Sequence, residues 1–253
     1  MAEGLAPALR LMRVSKTYAD GPPALTELSL EVARGELVGL LGPNGSGKST
    51  LLRLSAGALR PSSGGVETLG FAPHLASARQ RGRIAFADQD VALDPEMTGR
   101  ETFELLAALN QLDPRQTALE LAWVAESMGL GPALGRRVSS YSGGMRRRLH
   151  VALSLLPRAE LLLLDEPFVG LDAETRERVW ASLVQRARDG AAIVISTHDM
   201  YDVGINCGKV AVLTEGRLLT LTAPAQLIER YAARDTHPSL EGAYLRLLRE
   251  ERA

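Results

Sequence analysis

Gly42-Pro43-Asn44-Gly45-Ser46-Gly47-Lys48-Ser49-Thr50 follows directly on the apolar run Leu37-Val38-Gly39-Leu40-Leu41 and leads into the helix-type pattern Leu51, Leu52, Leu54 and Ser55. A short run that is apolar at every position reads as a strand covered on both faces. The segment is therefore a strand, a glycine-rich turn and a helix, the context in which residues 42–49 match the phosphate-loop pattern G-x-x-x-x-G-K-[ST]. Its glycines let the backbone curl until successive N–H groups face one anionic centre, and the helix N-terminus adds roughly half a positive charge. Lys48 is placed to reach the terminal phosphates, and the Ser49 hydroxyl to ligate Mg²⁺.

Working outward, Leu28, Leu30 and Val32 alternate with polar neighbours as one face of a strand. Apolar strands return at Leu161 to Leu164 and Ala191 to Ile195, with a helical stretch from Glu174 to Arg188 between them. That spacing predicts a parallel βαβ crossover. Short strands are expected at Lys209 to Leu213 and Arg217 to Thr220, and helices on either side of Thr236-His237-Pro238. From Thr98 to Met128 the apolar spacing is helical, broken at Asp113-Pro114, which reads as an inserted lobe.

The Leu161 strand ends in Asp165-Glu166. An open α/β sheet binds its ligand at the carboxyl ends of its strands, so Asp165 is placed to hold Mg²⁺ through water. Glu166, one step later, is placed to polarise an attacking water.

Composition narrows the field. The 253 residues, 45% hydrophobic and 23% charged, describe an ordinary globular chain at the upper size for one core. With 29 basic against 30 acidic residues there is no excess that would mark nucleic acid as the main ligand. A single cysteine, Cys207, excludes an intrachain disulfide. His74, His150 and His237 share no metal-ligand spacing; His74 reads as loop surface, and Arg146-Arg147-Arg148 as a solvated helix face. The apolar runs are too short to span a bilayer, which takes about 20 residues.

Tyr141-Ser142-Gly143-Gly144-Met145 separates this chain from other phosphate-loop proteins. It resembles the Leu-Ser-Gly-Gly-Gln signature of the ATP-binding-cassette ATPases, the nucleotide-binding subunits of ABC transporters. The resemblance runs from about Leu9 to Leu227 and implies an α/β fold: a mixed nucleotide-binding core (residues 1–89 and 150–222), an inserted helical lobe (90–149) and a helical tail (223–253). It implies ATP and Mg²⁺ as ligands. Gly42 to Thr50 would take the phosphates, Tyr18 would stack on adenine, and Ser49, Asp165 and Gln89 would hold the metal. Glu166 would act as base and His198 would contact the γ-phosphate. Ser142, Gly143, Gly144 and Asp172 would complete the site across a dimer seam. Two departures stand in the signature: Tyr141, read as packing, and Met145, which lacks the amide of glutamine. Methionine there is similar to the exporter branch.

The partners implied are a separately encoded membrane permease and a second cassette, identical or homologous, with no nucleic acid. The implied location is the cytoplasmic face of the membrane. A cassette uncoupled from transport and a non-hydrolysing regulatory cassette are the alternatives; the presence of both Glu166 and His198 favours turnover. Residues 89–98, which mix apolar Val91, Leu93 and Met97 with acids and Pro95, are expected to offer the permease a shallow groove.

Overall fold

The computed structural model describes residues 6–19, 21–88, 93–109, 112–155, 159–233 and 236–251. In chain order the elements are β1 (Leu9–Thr17), β2 (Pro23–Val32), β3 (Leu37–Leu41), α1 (Lys48–Ser55), β4 (Ser63–Thr68), α2 (Ala78–Arg81), β5 (Ile84–Ala87), α3 (Gly99–Leu109), α4 (Pro114–Ser127), α5 (Gly143–Leu155), β6 (Leu161–Asp165), α6 (Ala173–Arg188), β7 (Ala192–Ser196), α7 (Met200–Asn206), β8 (Lys209–Thr214), β9 (Arg217–Thr222), α8 (Pro224–Ala232) and α9 (Leu240–Glu251).

The strands that are apolar at every position lie at the centre of a six-stranded sheet, in the order β5-β6-β7-β3-β8-β9. Every residue of β3, β6 and β7 is buried. The reason is that each strand feeds two cores. Leu162, Leu164, Ile193 and Ile195 face one shared with the helices. Leu161, Leu163, Ala192 and Val194 face another, closed by α1 and by β1, β2 and β4. Side chains alternate across a strand, so only an unbroken apolar run satisfies both faces. The β6–α6–β7 crossover is parallel, with Leu161 opposite Ala192 and Asp165 opposite Ser196.

The smaller sheet, in the order β2-β1-β4, is antiparallel. Of it the sequence reading found only part of β2. In β1 the pairing slips between Leu11 and Val14, where Arg13 takes a positive φ of 47°. The buried residues Leu9, Leu11 and Val14 therefore lose strict period two. In β4, Gly64 and Gly65 leave Val66 as the one aliphatic side chain.

The helical stretch breaks where Asp113-Pro114 requires. Asp113 accepts hydrogen bonds from the N–H groups of Arg115 and Gln116 at 2.8 and 2.9 Å, and Pro114 opens α4 at the position where its missing N–H is harmless. Phe103, Val124, Met128 and Leu130 belong to the same core as Leu162 and Ile195, so the lobe is welded to the sheet by apolar contact. Leu93, half-buried, packs against that core as well. Gln89 and Val91 lie outside the described residues. Among those residues no helix is long and apolar enough to cross a membrane.

One histidine reading changes, and a second histidine gains a role in stability. His74 is half-buried in a short 3₁₀ turn, not loose on the surface. His150, on α5, is pushed down to about 4, first by burial and then by Arg147, with Asp88 opposing. An unfolded imidazole titrates near 6.5, so as pH falls the unfolded chain takes up this proton before the folded chain does. The stability tied to neutral His150 is complete above pH 6.5 and declines between about 6.5 and 4. Urea unfolding at pH 7 and 4.5 is expected to show a loss of about 2 kcal/mol from this group, allowing for its partial exposure. His150→Gln is expected to remove that part of the slope.

Candidate functional site

β6, β7 and β3 are consecutive and parallel in the sheet, so the loops after all three meet at one edge. They enclose a cavity of about 620 Å³ whose lining includes Lys48, Ser49, Thr50, Asp165, Glu166 and His198. Asn44, Gly45, Ser46 and Gly47 line it too, while Gly42 and Pro43 meet it through Lys48.

The loop has its shape because two positions exclude a side chain. A Cβ on Gly42 (φ 156°) would stand 2.3 Å from the Leu213 carbonyl oxygen, and one on Gly47 (φ 102°) 2.6 Å from that of Ala24. Gly47 caps α1 without a side-chain hydrogen bond. The first N–H groups of α1, which have no intrahelical acceptor, are thereby left for a ligand. Lys48 Nζ donates to the carbonyls of Gly42 at 2.7 Å and Pro43 at 3.1 Å. Burial pulls its ammonium below the ordinary lysine range, against the attraction of Glu166 and Asp165.

Across the cavity, Asp165 is 2% exposed. Its Oδ1 accepts a short hydrogen bond from Ser196 Oγ. Its Oδ2 is buried with no partner among the described residues. A buried anionic oxygen left in this way is costly unless a cation or an ordered water meets it. Together with the Ser49 hydroxyl it fits Mg²⁺, which keeps most of its shell as water and phosphate oxygens and needs few protein ligands.

Glu166 sits in the left-handed region, φ 48°, a conformation that costs a non-glycine residue about 1–2 kcal/mol. The turn reverses the strand alternation and brings the Glu166 carboxylate to the same edge as Asp165. It is held from one side by its N–H, which donates to the Ser196 hydroxyl at 2.9 Å and carbonyl at 3.1 Å. Glu166 Oε2 lies 3.1 Å from His198 Nδ1; the glutamate side chain is 18% exposed and the histidine 81%.

The remaining candidates stand apart from the cavity or at its margin. Tyr18 is 42% exposed and tethered to the loop by its hydroxyl, 3.2 Å from Thr50 Oγ1. Ser142, Gly143 and Gly144 open α5 outside the cavity, with Ser142 Oγ accepting from the Met145 N–H at 3.2 Å. A Cβ on Gly143 would meet nothing within 4 Å, and one on Gly144 would stand 3.6 Å from the Gly170 carbonyl oxygen. Tyr141 is packing: it is 4% exposed, and its hydroxyl donates to the Ala133 carbonyl at 2.8 Å. Asp172 caps α6, accepting from the Thr175 N–H and hydroxyl, each at 2.9 Å. The Thr175 N–H, then its hydroxyl, hold the Asp172 carboxyl below its ordinary range.

Ser196 and Arg147 escaped the sequence reading. A lone hydroxyl at the end of the otherwise apolar Ala192–Ser196 strand was the available signal for the first. Nothing in the sequence marks the second: the middle arginine of the supposedly solvated run donates to the backbone carbonyls of both Asp165 and Glu166.

Residues 25–169 match the sequence model of the family described as ABC transporter. The chain is 36% identical over 212 residues to the daunorubicin resistance ATP-binding protein DrrA3 of Streptomyces coeruleorubidus, an alignment spanning 84% of this chain and 67% of that protein. It is 36% identical over 223 residues to the Nod factor export ATP-binding protein I of Rhizobium etli, covering 88% of this chain and 70% of the relative. Among solved structures it is similar to a dimeric ATP-binding cassette in a post-hydrolysis state bound to ADP and Pi. The TM-score is 0.76 at 26% identity, over 85% of this chain and 98% of the other.

Proposed function

The chain belongs to the ABC transporter family as an ATP-binding and ATP-hydrolysing subunit, and on that premise we propose that it powers export through a separate membrane permease. The observation that carries this reading is the division of the site. Lys48, Asp165, Glu166 and His198 share one cavity, while Ser142 and Gly143, exposed, and Gly144, half-buried, stand outside it at the head of α5, where in this reading they form a second anion cradle. One chain cannot close both around the same phosphate. Two copies, or one copy and a homologue, meeting head to tail can. The relatives point to export, one being named for resistance to a drug and the other for export of Nod factor. We assign residues 90–149 to the helical lobe, 1–89 and 150–222 to the nucleotide-binding core and 223–253 to the tail.

In this reading the N–H groups of the Gly42 to Thr50 loop and the Lys48 ammonium bind the phosphates of ATP, and Tyr18 stacks on the base. Ser49 and Asp165 hold Mg²⁺, which screens the charge gathered on the phosphates; Gln89, outside the described residues, is assigned to the same ion. Glu166 accepts a proton from water at Oε1 or Oε2 as that water attacks the γ-phosphate, and His198 steadies the transferred group. Phosphoryl transfer to water asks mainly for positioning and charge stabilisation. Closure by Ser142, Gly143 and Gly144 of the second cassette completes that environment, with Asp172 at the seam. ATP binding closes the dimer and hydrolysis reopens it.

Co-expression with a candidate permease tests the assignment. Stable co-purification, and ATPase activity raised in the complex, are expected; an active cassette that never associates with a permease would favour the uncoupled alternative. Base recognition gives a finer test. Tyr18→Ala is expected to weaken ATP binding by about 1–3 kcal/mol, the range for aromatic–base stacking. Tyr18→Phe keeps the ring and loses only the half-exposed tether to Thr50, so it should be nearly neutral. Isothermal titration with a non-hydrolysable ATP analogue reads both; equal losses would assign the role to the hydroxyl.

A further inference from the structure

We infer that Arg147 is a positioning residue that pins the Glu166 turn from the helix carrying the second anion cradle, so that the aim of Glu166 follows the seating of α5. Arg147 lies one helical turn beyond Ser142-Gly143-Gly144, and its Nη2 donates to the Asp165 carbonyl at 3.1 Å and, by a shorter bond, to the Glu166 carbonyl. Glu166 is held in the left-handed region, and its N–H side is already fixed by Ser196. The Arg147 guanidinium fixes the carbonyl side. The Glu166 carbonyl also accepts from the Val169 N–H, at a longer 3.4 Å, so removing Arg147 leaves the strained turn weakly held on its carbonyl side and able to relax towards an extended conformation that carries the carboxylate away from the cavity.

The same arrangement links two events. In the reading above, the cradle at the head of α5 engages the ATP of the opposite subunit, whereas Glu166 acts on the ATP of its own. A rigid guanidinium between the two makes α5 the connection by which engagement at one site adjusts the base at the other. Arginine suits this because the two N–H bonds of Nη2, fixed in the guanidinium plane, diverge one to each carbonyl oxygen, an aim that the freely rotating ammonium of lysine holds with less constraint.

The inference rests on Glu166 acting as the base, and the experiment separates the two. The full-length parent, Arg147→Met, Arg147→Lys and Glu166→Gln are assayed for steady-state ATP hydrolysis, for binding of a non-hydrolysable ATP analogue and for thermal midpoint. Arg147→Met is expected to lower kcat by about tenfold or more with KM and analogue binding within about twofold of the parent. Arg147→Lys is expected to recover part of the loss, and the Hill coefficient for ATP to fall towards 1 in Arg147→Met. Glu166→Gln without turnover beside Arg147→Met at the parental kcat and Hill coefficient would overturn the inference alone. Glu166→Gln at the parental rate would overturn the base assignment and the inference with it. Should Arg147→Met fail to fold, Arg147→Lys decides: a lowered kcat at unchanged analogue binding supports the pin, and an unchanged kcat and Hill coefficient overturns it.

Discussion

Glu166→Gln is expected to stop ATP turnover while leaving ATP binding intact, and to accumulate a nucleotide-bound dimer. The amide has the shape of the carboxylate and keeps a hydrogen-bonding atom towards His198 Nδ1, which stands 3.1 Å from Oε2 in the parent. The turn at φ 48° is held through its backbone, by the Ser196 hydroxyl and carbonyl on one side and by Arg147 and the Val169 N–H on the other, none of which the substitution touches. What disappears is the basic lone pair. A positioned general base contributes about 10²- to 10⁴-fold to a rate, so the chemical step should slow by that order. With ATP bound and not consumed, the closed state has no route to reopen, and size-exclusion chromatography with ATP and Mg²⁺ should show a dimer that the parent forms only transiently. Parental turnover in Glu166→Gln would show the base to be another group.

Lys48→Ala should fail one step earlier. The ammonium has three donors, of which two are directed to the Gly42 and Pro43 carbonyls, and it is the cation that the loop brings to the cavity. Burial already disfavours its charge, opposed by Glu166 and Asp165; bound phosphates add the opposite charge that restores it. Removing the group forfeits charge-assisted hydrogen bonds of about 1.5–3 kcal/mol each and leaves the two acids facing the phosphates with less compensation. ATP affinity should fall by about 100-fold or more, beyond detection in an ordinary filter-binding or calorimetric assay, and no dimer should form with ATP. The two variants are therefore separable by a single chromatogram: Glu166→Gln dimeric with ATP, Lys48→Ala monomeric. A Lys48→Ala protein that binds ATP normally would remove the loop lysine from the phosphate site.

Much of the site was legible because its chemistry is local. Residues 42–50 form a loop whose glycines, lysine and hydroxyls act within one turn of chain, so residue type and spacing suffice to read it. Asp165 and Glu166 were legible as the end of a strand buried on both faces, and that burial was itself written in an unbroken apolar run. The small antiparallel sheet was not: a bulge at Arg13 and the glycines of Ser63–Thr68 remove the alternation by which a strand is recognised.

By itself, the sequence determined the glycine-rich loop, the acids that share its cavity, the parallel crossover from β6 to β7 and the family. All of these depend on neighbours within a few residues or on the two faces of a single element. Only the tertiary structure decided how the acids are held. Ser196 lies 31 residues from Asp165 and grips both it and the Glu166 N–H; His198 meets Glu166 across 32 residues; Arg147 reaches forward 18 and 19 residues to their carbonyls. An arginine in a basic run looks the same on a wet face as against a strand end. The packing of α5 on the sheet is what turned this one inward, and that packing follows from the whole apolar core rather than from residues beside it.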